Sequence, residues 1–342
     1  MPDRKVALVR TEDRSSGVRQ ALEAIGSDLD RMAHARRILV KPNLVAIAPA
    51  YADTHVDAIA AVVEFINDHF PGKAITVGEA SASAFYNRLS TWDVFRRYGY
   101  EALPERFENV TLVDFDRGSA FETVPIQSVV GDTHLRIDAR HRDFDYRISL
   151  SIPKTHNFAQ ATFGIKNMAG LVTPRDMAAI HGMKGGIEVD APKTLLDRLP
   201  PGTVSKARKA LPNWLVNLFF RSYPTYRRSV KMIHHNIVNL ARPLWPDLVV
   251  LDGVVAMERD GPCNGTPVDL GVVIASADPL KADCLAARVI GFDDPMEIGY
   301  LYYLAEQGRG DPEPTGLVGD RWQDARRVFR RHGTYDIQAQ WR

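Results

Sequence analysis

The sequence predicts an α/β protein: a mixed, mainly parallel sheet with helices on both faces, built as one such unit or as two α/β subdomains. Three observations carry this. Short apolar, β-branched runs recur at residues 6–9, 38–40, 74–77, 110–113, 148–152, 248–251 and 271–274, and a continuous apolar run marks a strand covered on both faces. Helical spacing separates several of them: Val56, Ile59, Ala60, Val63 and Ile66 line one face of a helix that Pro71-Gly72 ends. Residues 277–289 repeat the pattern, with Asp278 as an N-cap and Pro279 just inside the start. Strands alternating with helices build largely parallel sheets. Ligands of such sheets sit beyond the carboxyl ends of the strands, so the polar residues that follow each apolar run are the ones to inspect.

Composition sets the bounds. A chain of 342 residues that is 45% hydrophobic can bury a large core. Lys and Arg number 43 against 42 for Asp and Glu, a net charge of +1, so there is no global field to draw nucleic acid. The two cysteines, Cys263 and Cys284, cannot form a disulfide framework and match no iron–sulfur ligand run. A reducing cytoplasm fits them. The start of the chain turns charged after Val9, too soon for the core of a signal peptide, and no apolar run approaches the roughly 18 residues of a transmembrane helix.

Residues 193–228 interrupt the α/β pattern with proline, basic and aromatic residues. Trp214, Leu215, Leu218 and Phe219 share a helical face, with Lys206, Arg208, Lys209, Arg221, Arg227 and Arg228 around them. Apolar helix faces are usually buried, so a helix packed on the core or in a homodimer interface is expected. A lid over the site and a patch touching a membrane surface are the alternatives.

The strand ends differ in chemical content. Lys41-Pro42-Asn43 offers an ammonium and an amide at one of them, and Gly78-Glu79 follows another. Glu79 is read as a base, a lysine's partner or a helix cap. The richest segment spans 152–181, where Lys154, Thr155, His156 and Asn157 follow a strand. Thr162, Lys166 and Asn167 then occupy an expected helix that Asn157 or Thr155 would cap, its amides favouring an anion. Lys166-Asn167 is enclosed by Phe163, Ile165, Met168 and Leu171, unusual surroundings for a solvated lysine.

The chemistry expected is an enzyme acting on a small anionic molecule by acid–base or cofactor-assisted steps, as an isomerase, lyase or oxidoreductase. Lys41, Lys154 and Lys166 hold the anion, His156 or His234 moves a proton, and Lys154 and Lys166 also act on the reacting group. Asn43, Thr155 and Asn167 complete the binding set. Two other readings stand beside it. In a metal-dependent enzyme, ligands come from His156, His181, His234 and Asp252, although no HxxxH or HExxH spacing supports it. In a non-catalytic cofactor carrier or assembly factor, the Trp214 region is the contact.

The ordered set KPN, PKTH, GIKN, the His234 helix, LDG, DGPCNGTPVDLG and ASADPLKADCLAARVIG resembles the prokaryotic family known as domain of unknown function 362, across about 38–291. The resemblance implies roles for Lys41, Asn43, Lys154, His156, Lys166, Asn167, His234, Asp252 and Gly261, the last at the binding site. Many members carry a ferredoxin-type module with closely spaced cysteines. This sequence has no such spacing, so an iron–sulfur cluster is not expected in it, and a redox role would need a partner protein or a diffusible cofactor.

Overall fold

Each of the seven apolar runs forms a strand in the computed structural model, which describes residues 4–45, 49–82, 89–173, 176–183, 211–222 and 225–342. In chain order the strands are β1 (Val6–Arg10), β2 (Arg37–Lys41), β3 (Ala74–Glu79), β4 (Val110–Asp114), β5 (Phe121–Ser128), β6 (Gly131–Asp138) and β7 (Tyr146–Ser151). They continue with β8 (Lys154–His156), β9 (Gln160–Thr162), β10 (Leu248–Glu258), β11 (Thr266–Ser276) and β12 (Leu317–Gly319). The helices that matter below are α1 (Arg14–Ala24), α2 (Val56–His69), α3 (Gly164–Asn167), α4 (Asn213–Ser222), α5 (Tyr226–Ala241), α6 (Pro279–Val289) and α7 (Gly299–Glu306).

The main sheet runs β12-β1-β11-β10-β7-β2-β3-β4. From β10 to β4 every neighbouring pair is parallel, and β11 lies antiparallel to both β1 and β10. Period-two alternation sends successive side chains to opposite faces. Val6, Leu8, Val249 and Leu251 join one core with α5, α6 and α7, while Ala7, Val9, Leu248 and Val250 join the other with α1 and α2. Both faces are covered, which is why the runs are continuously apolar. On α2, Ile59, Val63 and Ile66 are fully buried, and truncating any of them to Ala should cost about 2–5 kcal/mol. The Asp278 carboxylate accepts the Leu280 and Lys281 amides at 3.0 and 3.1 Å and caps α6 as expected.

Three features depart from the sequence reading. The β5–β6 hairpin alternates buried Val124 and Ile126 with polar neighbours, so it shows no continuous apolar run. The expected helix after PKTH is instead the β8–β9 hairpin followed by the single turn α3. The third concerns the inserted segment, of which 193–210 lies outside the described residues. On α4, Trp214 is 67% and Leu218 54% exposed, so these side chains are not packed on this chain's core, one of the two expected placements; a homodimer interface is the other. The helix is tied down by its other side. Arg221 pairs with Asp336, Asn217 Nδ2 donates to Asp260 Oδ1 at 3.1 Å, and the Phe220 ring packs against Phe158 and Tyr226.

Candidate active site

Parallel pairing sets the carboxyl ends of β2, β3 and β7 side by side, with Lys41 opposite Ser149 and Glu79 closing β3. A buried polar network fills this edge. The Lys41 ammonium donates to Glu79 Oε2 at 2.6 Å, to the Pro42 carbonyl at 2.8 Å and to Asn167 Oδ1 at 3.3 Å. Asn43 Nδ2 donates to the same Asn167 oxygen at 2.9 Å, and Asn43 Oδ1 accepts from Lys154 at 2.6 Å. Asn167 Nδ2 donates to the Lys41 carbonyl and to Ser149 Oγ, at 3.1 and 3.0 Å.

Counting donors sorts these residues. An ammonium has three hydrogens, and all three on Lys41 are taken by protein. Both groups of the Asn43 and Asn167 amides are also engaged within the network. Lys154 gives two hydrogens to Asn43 Oδ1 and the Ala52 carbonyl and keeps one. Burial pushes Lys41 down and Glu79 up, and their mutual attraction opposes both shifts. Glu79 also accepts the Ala80 amide at 2.9 Å and the Leu44 amide at 3.2 Å, which favour the carboxylate. Gly170 closes over the pair: a Cβ there would lie 2.6 Å from Glu79 Oε1 and 2.7 Å from Lys41 Nζ.

Lys166, the neighbour of Asn167 on α3, behaves differently. Its side chain is largely buried without being sealed from solvent, and among the described residues its ammonium has no hydrogen-bond or ion-pair partner. Burial, then the charges of Lys154 and Lys41, push its pKa down to about 7, with Cys263 opposing them. The turn that carries it is pinned from a distance. Asp283, fully buried on α6, accepts the Gly164 amide at 2.8 Å and the Ile165 amide at 2.9 Å. Asn157 or Thr155 was the expected cap. The Asp283 side chain takes that place, so these amides are not open to a bound anion. Burial raises Asp283 to about 8.

His156 ends β8, and its tautomer can be read from its contacts. Nδ1 accepts the Phe158 amide at 3.0 Å and the Ala159 amide at 3.1 Å. In neutral imidazole one nitrogen accepts and the other carries the proton, so the proton is on Nε2, which has no partner among the described residues. Burial, then Lys166 and His181, hold His156 well below its ordinary pKa. The His181 ring stacks on it at 5.5 Å and 6° and is pushed down to about 3. Lys154, His156, Lys166 and His181 thus form one cluster of interacting groups. Nε2 of His156 cannot ligate a metal without sending its proton to Nδ1, against two amide N–H groups.

The other expected site residues are placed elsewhere or in support. His234 is fully buried where α5 meets α7; its Nδ1 accepts the Tyr300 amide at 3.0 Å and Trp341 packs against the ring. Asp252 pairs with Arg14 and also accepts the Val254 amide at 3.2 Å. Among the described residues no set of three His, Cys, Asp or Glu side chains is placed to hold a metal ion. Thr155 Oγ1 donates to the Arg259 carbonyl at 2.8 Å, and Gly261 packs so closely that a Cβ would lie 2.0 Å from the Thr155 carbonyl oxygen. Sequence reasoning passed over Ser149, Gly170 and Cys263. Glycine and serine carried no local signal, and the thiol was weighed only as a disulfide or cluster ligand.

A lysine-rich polar site at the carboxyl edge of a two-faced α/β sheet is thus the chemistry this fold presents. The chain belongs to the family described as domain of unknown function DUF362, whose model matches residues 38–288. It is 24% identical to the thylakoid-associated protein sll1697 of Synechocystis sp., over 94% of this chain and 87% of that protein. Among solved structures it is similar to the lactate racemase apoprotein of Thermoanaerobacterium thermosaccharolyticum, at 13% identity and a TM-score of 0.49, covering 83% of this chain and 56% of that one. No helix among the described residues is long and apolar enough to cross a membrane.

Proposed function

We propose that the protein is an enzyme that moves a proton on a small anionic molecule, with Lys166 as the base. The observation that carries this is a lysine amine with no hydrogen-bond or ion-pair partner among the described residues, its pKa lowered to about 7, in electrostatic contact with a histidine locked as an Nε2–H donor. A base poised near the working pH is half free amine at neutrality. The positive charges of Lys154 and Lys41 near Lys166 favour a bound anion, and the neutral His156 Nε2–H suits an oxygen on which charge develops. On this reading Lys41, Asn43, Asn167 and Glu79 are positioning residues that hold Lys154 and the Lys166 turn in place. The test needs no known product. Incubation in D2O with a panel of 2-hydroxy, 2-oxo and dicarboxylic acids should wash deuterium into one of them, followed by proton NMR. Lys166→Met should slow that exchange by about 10²- to 10⁴-fold; equal exchange in the variant overturns the assignment.

The exposure of Trp214 and Leu218 supports a second reading that can stand beside the first. The relative sll1697 is named as thylakoid-associated. Exposed Arg227, Arg228 and Lys231 at the start of α5 add charge suited to anionic headgroups. Co-sedimentation with anionic vesicles that is lost in Trp214→Ser/Leu218→Ser supports attachment to a membrane surface; no sedimentation excludes it.

A further inference from the structure

A lysine amine freed of its proton can be a nucleophile as well as a base, and the surroundings of Lys166 select between those uses. Surface lysines are held protonated by water, and Lys41 is held by a carboxylate at 2.6 Å. Lys154 is anchored by Asn43 and Ala52. Among the described residues, Lys166 alone in this cluster combines partial exposure with a side chain that no acceptor claims. The cations beside it lower the proton affinity of the amine, and the same cations attract a carboxylate. Neighbouring cations are one recognised route to an activated lysine nucleophile. The His156 Nε2–H adds a donor for an oxygen, and because that imidazole stays neutral it polarises a carbonyl without consuming the amine's lone pair.

We propose that Lys166 captures an aldehyde or ketone whose carbonyl neighbours a carboxylate, forming a protonated imine at Nζ. This rests on Lys166 being the reactive amine of the site. The Nζ lone pair attacks the carbonyl carbon, the C–N bond forms, and the π pair moves to oxygen beside His156 Nε2. The oxygen leaves as water with two protons, one from Nζ and one from solvent. Nitrogen keeps one hydrogen and the positive charge, so no oxidant or reductant enters. The substrate class is a 2-oxo carboxylate, with the carbonyl on Lys166 and the carboxylate drawn by the positive charge around it.

The imine is trapped by treating the full chain with pyruvate and sodium cyanoborohydride at pH 7, followed by peptide mass mapping. Lys166 at about 7 has a far larger free-amine fraction than ordinary lysines, partly offset by the lower nucleophilicity of a weaker base. The reduced adduct should therefore favour Lys166 over surface lysines by about 10-fold or more. Lys166→Arg, checked for folding by its thermal transition, should lose that adduct. Labelling spread evenly over the lysines overturns the proposal in the wild-type chain alone. Equal labelling of Lys166 by acetaldehyde, which lacks the carboxylate, overturns the substrate class. If no adduct forms while Lys166-dependent deuterium exchange persists, the imine falls and the base remains. If neither is seen, both fall.

Discussion

Replacing Glu79 by glutamine tests the buried network at its centre. The side chain keeps its shape and loses its charge, while Lys41 remains fully buried with only the Pro42 carbonyl and Asn167 Oδ1 as acceptors. Glu79 Oε2 serves Lys41 and the Leu44 amide, and Oε1 serves the Ala80 amide. A carboxamide has one acceptor oxygen, so at least one of these donors faces an NH2 group. Orphaning an amide costs about 1–3 kcal/mol, and breaking a buried pair by removing one partner costs about 3–5 kcal/mol in all. The expected loss for Glu79→Gln is therefore about 3–5 kcal/mol, read from the urea midpoint at unchanged slope. Lys41→Met with Glu79→Leu should cost less than the two single changes summed, because no lone charge is left behind. A loss under about 1 kcal/mol for Glu79→Gln would refute the ion pair as the organiser of this edge.

Three further expectations follow from the same contacts. Lys166 has a folded pKa of about 7 against an ordinary 10.5, so the native state binds fewer protons between those values. Wild-type stability should accordingly rise with pH across that window relative to Lys166→Met, in paired denaturation series; parallel pH profiles would contradict the shift. Nitrogen-15 NMR of His156 should show an unprotonated Nδ1, a protonated Nε2 and no charging at neutral pH; the opposite tautomer would remove it as a donor. Asp283→Ala removes the acceptors of the Gly164 and Ile165 amides and should cost at least about 1–3 kcal/mol, whereas Trp214→Ser, at a 67% exposed site, should stay within about 0.5 kcal/mol.

Much of the architecture was readable because burial on both faces leaves a local trace. The runs at 38–40 and 248–251 are β2 and the start of β10, and the face from Val56 to Ile66 is that of α2. The half-buried β5–β6 hairpin escaped because alternation over polar residues is a weaker signal than an apolar run. The segment 152–181 was legible as a place where charge enters an apolar context. Its mechanics were not. The Asp283 cap spans 119 positions and the Lys41–Glu79 pair 38, and no local pattern announces a partner so far along the chain.

The sequence by itself determined the α/β class, the strand and helix periods, and which lysines and histidines stand at strand ends, because those follow from local hydrophobic patterning and capping. Only the tertiary structure decided how these polar groups divide. Lys41 spends every hydrogen inside the protein, His156 is locked as an Nε2–H donor, and Lys166 is left without a partner among the described residues. That division depends on which acceptors distant segments bring within about 3 Å, and on how much water their packing removes.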